Sequence, residues 1–325
     1  MASAHSGMGH TLVPLDGSPL AETILPFVES LARRCRGRMT LLYVAPERDV
    51  ALGCGDAAAD RMARRDHQLA EAYLHDHRRR LTAAGIDADV VVATGRPAAG
   101  IVAEAERLGV ELIALSTHGR SGVQAWAHGS VADEVLHTSR TPLMLVRPGD
   151  RWAAAPHDVE RVVVPLDGSE EAEAALRVAE PLAERCALPI ALLRCVEPLS
   201  LAYIADPGGV PYVGMQAMVA ARVQEAREYL GAVAGRLRRR GIAVTMQVTV
   251  GAAAPSIAAY AHSSAENLVV LASHARARWH RVLVGSVARR IAQTVPTPVI
   301  VCPVGPAEAR SARSRAGESV AAPAG

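Results

Sequence analysis

Val13-Pro14-Leu15-Asp16-Gly17-Ser18 recurs 151 residues later as Val164-Pro165-Leu166-Asp167-Gly168-Ser169. A second stretch repeats at an offset of 156: Ser116-Thr117-His118-Gly119, nine residues, then Gly129-Ser130, matched by Ala272-Ser273-His274-Ala275, nine residues, then Gly285-Ser286. Stacked solenoid repeats run about 20–50 residues, so offsets this long mean a duplicated domain. Each copy ends a strand with an aspartate and later opens a helix with Gly-Ser. Function is to be sought where those two features meet.

Outward from these motifs, short apolar runs alternate with segments of helical period. The first half reads as strand 11–15, helix 18–35, strand 38–44, a Gly/Ala-rich loop, helix 58–84, strand 87–93, helix 97–108, strand 112–116, helix 129–138 and strand 143–146. The second half repeats this order from Arg161 to Cys302. Strands alternating with helices imply βαβ units, parallel pairing and right-handed crossovers. Five strands per half predict two tandem doubly wound α/β domains, 10–147 and 160–303, joined by a linker at 148–157. The tail 304–325 lacks periodicity and is expected to be disordered. The five-residue difference between the two offsets falls between Val44 and Gly85, opposite the 198–216 stretch, and is read as a loop-length change beside the site.

Pro14 and Pro165 stand in what should be central strands, which is tolerable only at a carboxyl end where the ladder is already finishing. The aspartate two residues on then lies at the sheet's carboxyl edge, where open α/β sheets bind ligands.

Composition narrows the chemistry. Apolar residues make up 50% of the 325 but aromatics only 3%, with Phe27 the sole phenylalanine, so the core must be aliphatic. All 35 basic residues are arginine. Without lysine there is no P-loop lysine, no Schiff base and no lysine base; a phosphate must be held by backbone amides, hydroxyls, arginine or a metal. A net charge of +2 gives no global field towards nucleic acid. The five cysteines lack C-x-x-C spacing and are read as buried thiols of a reducing compartment. Neither a membrane span nor a signal-peptide core is legible, so a cytoplasmic protein is expected.

Each motif has a bland alternative. Ser18, with Pro19 after it, and Ser169 suit helix N-caps, although capping does not require Pro-Leu-Asp-Gly ahead of them in both copies. Gly129-Ser130 and Gly285-Ser286 open helices, offering free amides and the positive end of the dipole to an anion. Ser130 with Asp133 also resembles a capping box. Arg289 and Arg290 sit in the matching first turn, which the dipole disfavours unless an anion is near. His118 and His274 follow a strand in both copies but have no evident partner for base catalysis. Gly-x-Gly-x-x-Gly does not follow either first strand, which removes the main support for a dinucleotide fold.

The two motifs, in two copies over about 10–147 and 160–303, resemble the universal stress protein family in its tandem form. That resemblance implies a parallel sheet of order 3-2-1-4-5 and, in one subgroup, bound ATP, with Mg²⁺ bridging its phosphates. By position it implies nucleotide contacts at Asp16, Val44, Ser116, Gly119, Gly129, Ser130 and Val131. The matching set in the second half is Asp167, Cys195, Gly285 and Ser286. Ser116 replaces the first signature glycine, and Ala272 and Ala275 replace both early glycines of the second copy. If Gly119 adopts φ > 0, alanine there costs about 1–2 kcal/mol, so the second half is expected to bind more weakly. The resemblance further implies pairing of the last strands into an intrachain pseudo-dimer, with a homodimer and unidentified protein partners beyond it. The expected function is an ATP-binding stress-response regulator, not an enzyme beyond slow hydrolysis. The alternative is a stress protein that binds no nucleotide and acts as a protein-interaction module.

Overall fold

The structure is a computed structural model that describes residues 9–47, 56–117, 130–147, 158–197, 212–264, 266–273, 285–295 and 297–304. It divides into two compact units that part between Val159 and Glu160. The 304–325 tail, apart from Val304, lies outside the described residues, as do the 148–157 linker and Cys54.

The first unit runs β1 (His10–Pro14), α1 (Pro19–Glu22), α2 (Leu25–Cys35), β2 (Arg38–Ala45), α3 (Asp56–Ala83), β3 (Asp87–Thr94), α4 (Pro97–Leu108), β4 (Leu112–Ser116), α5 (Ser130–Thr138) and β5 (Leu143–Val146). Its strands are parallel and ordered β3-β2-β1-β4-β5, as expected. The second unit runs β6 (Arg161–Pro165), α6 (Glu170–Glu173), α7 (Leu176–Cys186), β7 (Ile190–Val196), α8 (Tyr212–Arg239), β8 (Val244–Val250), α9 (Ala253–Ala261), β9 (Asn267–Ser273), α10 (Ser286–Thr294) and β10 (Val299–Pro303). Its order, β10-β9-β6-β7-β8, is the same topology. The central strands β1 and β6 end at their prolines, and the ladder closes one residue later. There Leu15 N–H donates to Leu42 O and Leu166 N–H to Leu193 O, each at 2.8 Å.

One helix of the sequence reading, 18–35, is two: the chain breaks between α1 and α2 at Thr23–Ile24. Pro26 sits at the start of α2, but the second unit breaks at Ala174–Ala175 with no proline there. The proline therefore accommodates the break and does not cause it. α3 and α8 are each 28 residues long, so the five-residue length difference lies in the segments before them.

The cores are aliphatic, as the composition requires. α2 buries Leu25, Phe27, Val28, Leu31, Ala32 and Cys35, an i, i+3, i+4 stripe. The reading of all cysteines as free thiols fails for Cys35, which is disulfide-bonded, and likewise for Cys186. Disulfide partners are set by proximity in the fold, which spacing along the chain does not reveal. Cys195 and Cys302 are free, and complete burial pushes the Cys302 thiol up to about 12.

His10 shows how a polar group is carried in the first core. Its Nδ1 lies 3.0 Å from Arg38 Nη2 and its Nε2 lies 2.8 Å from Thr40 Oγ1. A guanidinium only donates, so Nδ1 accepts and Nε2 carries the proton. Burial, then the Arg38 charge, lowers the His10 pKa.

Two outcomes follow from this packing. Phe27→Ala should destabilise the first domain by about 3–5 kcal/mol, read as a fall in its unfolding midpoint in denaturant. Because the folded state disfavours protonated His10, stability should be intact above the ordinary histidine value of 6.5 and fall as pH drops below it. Comparing chemical unfolding at about pH 7.5 and about pH 5.5 should show that slope in the wild type and a shallower one in His10→Gln.

Candidate functional site

The second domain builds a cavity of about 550 Å³ at the carboxyl edge of its sheet. The floor is the ends of β6, β7 and β9, where Asp167, Cys195 and Ala272 line it. The N-termini of α9 and α10 close two sides, the latter through Gly285, Ser286 and Val287. β6 is the central strand, flanked by β7 and β9, so the cavity occupies the point where the winding of the sheet reverses. All four residues assigned here from the sequence (Asp167, Cys195, Gly285 and Ser286) border this one space.

The aspartate end is built by a local turn. Gly168 takes φ +90°, in the left-handed region that glycine tolerates. Asp167 Oδ1 accepts from the Ser169 N–H at 2.9 Å and the Ser169 hydroxyl at 2.6 Å, while Ser169 Oγ accepts from Ala172 N–H at 3.1 Å to cap α6. The serine is thus a cap, and the aspartate orients it. The same carboxylate remains exposed at the cavity's rim. The opposite end is α10, whose N-cap Gly285 has φ −58° and ψ 150° and makes no side-chain cap. Helix geometry leaves the amides of its first turn without intrahelical partners, and they face the cavity end. Gly285 does not use the left-handed region.

Cys195 sits between floor and wall, with Sγ 3.9 Å from Ala253 O. Burial raises its pKa, and a hydrogen bond with Ser256 works against that shift. Arg194, the preceding residue, points to the other face. Its guanidinium lies 5.0 Å from the Tyr229 ring centroid and packs against Gly168, where an added Cβ would meet Nη1 at 3.1 Å. A fixed cation therefore stands behind the Asp167 turn.

In the first domain the Asp16 turn has the same geometry: Oδ1 accepts from Ser18 N–H at 2.9 Å and from its hydroxyl at 2.6 Å, with Gly17 at φ +81°. The ends of the neighbouring strands β2, β1 and β4 bring Val44, Asp16 and Ser116 to one edge. Ser130 and Val131 open α5. Gly119, Gly129, His118 and, in the second domain, His274 and Ala275 lie outside the described residues.

Several contacts around these positions, and some of the partners that make them, escaped the sequence reading. Ser116 Oγ lies 2.7 Å from Thr23 Oγ1, tying β4 to α1; at the matching places of the second domain stand Ala272 and Ala174. Val44 packs so closely on Gly100 that a Cβ there would meet Val44 Cγ1 at 2.9 Å; the second domain has Cys195 and Ser256. Glu22 accepts from the Tyr73 hydroxyl at 2.8 Å and lies 3.3 Å from His77 Nε2. Glu173 likewise accepts from Tyr229 at 2.9 Å and from Arg236 at 2.8 Å. These glutamates and tyrosines recur at the two repeat offsets, and that was the signal available for them. Finally, α5 carries Asp133 at the end of its first turn and Glu134 just after it, where α10 carries Arg289 and Arg290. Glu134 pairs with Arg96 at 3.4 Å.

The chain was compared with known proteins. The model of the universal stress protein family matches twice, over residues 8–147 and 159–303. Universal stress protein YxiE of Bacillus subtilis is 26% identical over 143 residues, 42% of this chain and 97% of that protein. Universal stress protein MJ0577 of Methanocaldococcus jannaschii is 25% identical over 150 residues, 42% of this chain and 93% of that protein. Among solved structures, a universal stress protein from Archaeoglobus fulgidus aligns over 92% of this chain and 99% of its own with a TM-score of 0.65 at 22% identity, a likeness of fold. With two matching copies spanning most of its length, the chain belongs to the universal stress protein family.

Proposed function

We propose that this protein is an ATP-binding stress-response regulator, with at most slow hydrolysis. The observation that carries the reading is the convergence, in the second domain, of the Asp167 turn and the uncapped N-terminus of α10 on one cavity of about 550 Å³. That volume lies within the roughly 300–1,000 Å³ of small-molecule sites. Leu193, Ile257 and Leu271 give it an apolar interior for a base, and the helix mouth gives it an anion end. The residues suit the nucleotide without lysine. Asp167 would hold the sugar side, the first-turn amides of α10 the phosphates, and a bound Mg²⁺ would neutralise phosphate charge. Among the described residues, the titratable groups lining the cavity are Asp167 and Cys195, and Asp167 is already engaged by Ser169.

Occupancy would act as a signal by favouring one arrangement of the loops around the site over another. No helix among the described residues is long and apolar enough to cross a membrane.

The weaker second site expected from Ala272 and Ala275 is partly offset electrostatically. Arg289 and Arg290 stand where the first domain has Asp133 and Glu134, an exchange that lessens the repulsion a bound anion would meet near the helix mouth. Both domains are proposed to bind, the second more weakly than the first.

Isothermal titration of the full chain with ATP should give two equivalents. Arg289→Glu with Arg290→Glu should weaken one of them at least roughly tenfold, most strongly at low salt, and leave the other unchanged. Asp16→Asn should weaken the complementary equivalent. Absence of any saturable binding would favour the protein-interaction module.

A further inference from the structure

β8 is the outer strand of the second sheet, and among the described residues it pairs only with β7. Outer strands are ordinarily guarded against adding another strand by charge, proline, a bulge or brevity. β3, its counterpart, is guarded: Asp87 and Asp89 are exposed on it, with Asp89 3.9 Å from Arg38. Within its own seven residues β8 has none of these devices, and a charge reaches its edge from α8, where Arg238 Nη2 donates to the Val244 carbonyl at 2.8 Å. Its seven residues, Val244-Thr245-Met246-Gln247-Val248-Thr249-Val250, carry no charge and no proline. They pair with β7 without a bulge, from Ile190↔Val244 to Val196↔Val250. Met246 is 43% exposed and Val250 51%.

The strand also reads nearly the same in both directions about Gln247. The register with β7 puts Val244, Met246, Val248 and Val250 on the face of Leu192 and Arg194, and Thr245, Gln247 and Thr249 on the face of Leu193 and Cys195. A two-fold axis through Gln247, perpendicular to the sheet, would set an identical strand antiparallel beside it. Val244 then meets the partner's Val250, Thr245 the partner's Thr249 and Met246 the partner's Val248, with Gln247 beside its own copy. Apolar side chains lie opposite apolar ones on one face, and hydroxyls and amides opposite their like on the other. Such cross-strand pairs are favourable, and no like charges oppose. A slip of two residues would replace the Thr–Thr pairs by Thr–Gln.

We infer that the β8 edge is a self-association surface that takes the β8 edge of a second copy of this chain, antiparallel and centred on Gln247. A foreign extended peptide would also find open amides there, but it would need no such palindrome.

The test uses the full chain. Gln247→Cys places one thiol opposite its own copy, so a mild thiol oxidant should convert it to a disulfide-linked dimer that a reductant reverses. Thr245→Cys, whose neighbour is the partner's Thr249, should cross-link several-fold less. In sedimentation velocity the wild type should move from the mass of one chain towards that of two as concentration rises. Met246→Lys should stay at one chain with an unchanged thermal midpoint. A wild type that keeps the mass of one chain overturns the inference, whether or not β8 accepts a foreign strand. So does a dimer that survives Met246→Lys, or a Thr245→Cys variant that cross-links as readily as Gln247→Cys.

Discussion

The turn after each central strand is the constraint on which the site depends. A proline ends the strand, a glycine at φ +81° or +90° reverses the chain, and an aspartate holds the serine that caps the next helix. Because the flanking strands send their helices to opposite faces, the space above this turn stays open. If the Asp–Ser contact were lost, the cap of α1 or α6 would go with it, and the carboxylate would no longer be held at the rim. Cap and rim are one device, so the capping role of the serine is compatible with the proposed ligand role of the aspartate.

The two domains show how a duplicated site diverges by pairs of residues. Thr23 and Ser116 share a hydrogen bond, and both positions become alanine in the second copy. Val44 leaves room only for Gly100, whereas the smaller Cys195 admits Ser256. Tyr43 gives way to Arg194, which rests on Tyr229 and on a glycine that could not be larger. Asp133 and Glu134 give way to arginines. Among the described residues, the last two exchanges place more positive charge around the second site than around the first.

Much of this was legible in the sequence, for stated physical reasons. Parallel strands buried on both faces read as continuous apolar runs, and repetition at a fixed offset supported each assignment twice. Asp167, Gly285 and Ser286 could be placed together because strand ends and helix starts converge at one edge of such a sheet, while Cys195 came from the family resemblance. The α1–α2 break was not legible, since proline accompanies it in one copy only. The Thr23–Ser116 bond and the Arg194 contact join residues far apart in the chain, and single-sequence periodicity carries no such information. The state of Cys35 and Cys186 was missed for the same reason.

The central claim is that the uncapped mouth of α10 receives the phosphates of a nucleotide. The most direct measurement follows the backbone amide resonances of Ser286, Val287 and Ala288 while ATP is added to the full-length protein. The account predicts large, saturable shifts of these amides, together with slowed hydrogen exchange, and smaller changes at β8. ATP that binds to saturation while these three amides stay where they were would contradict it.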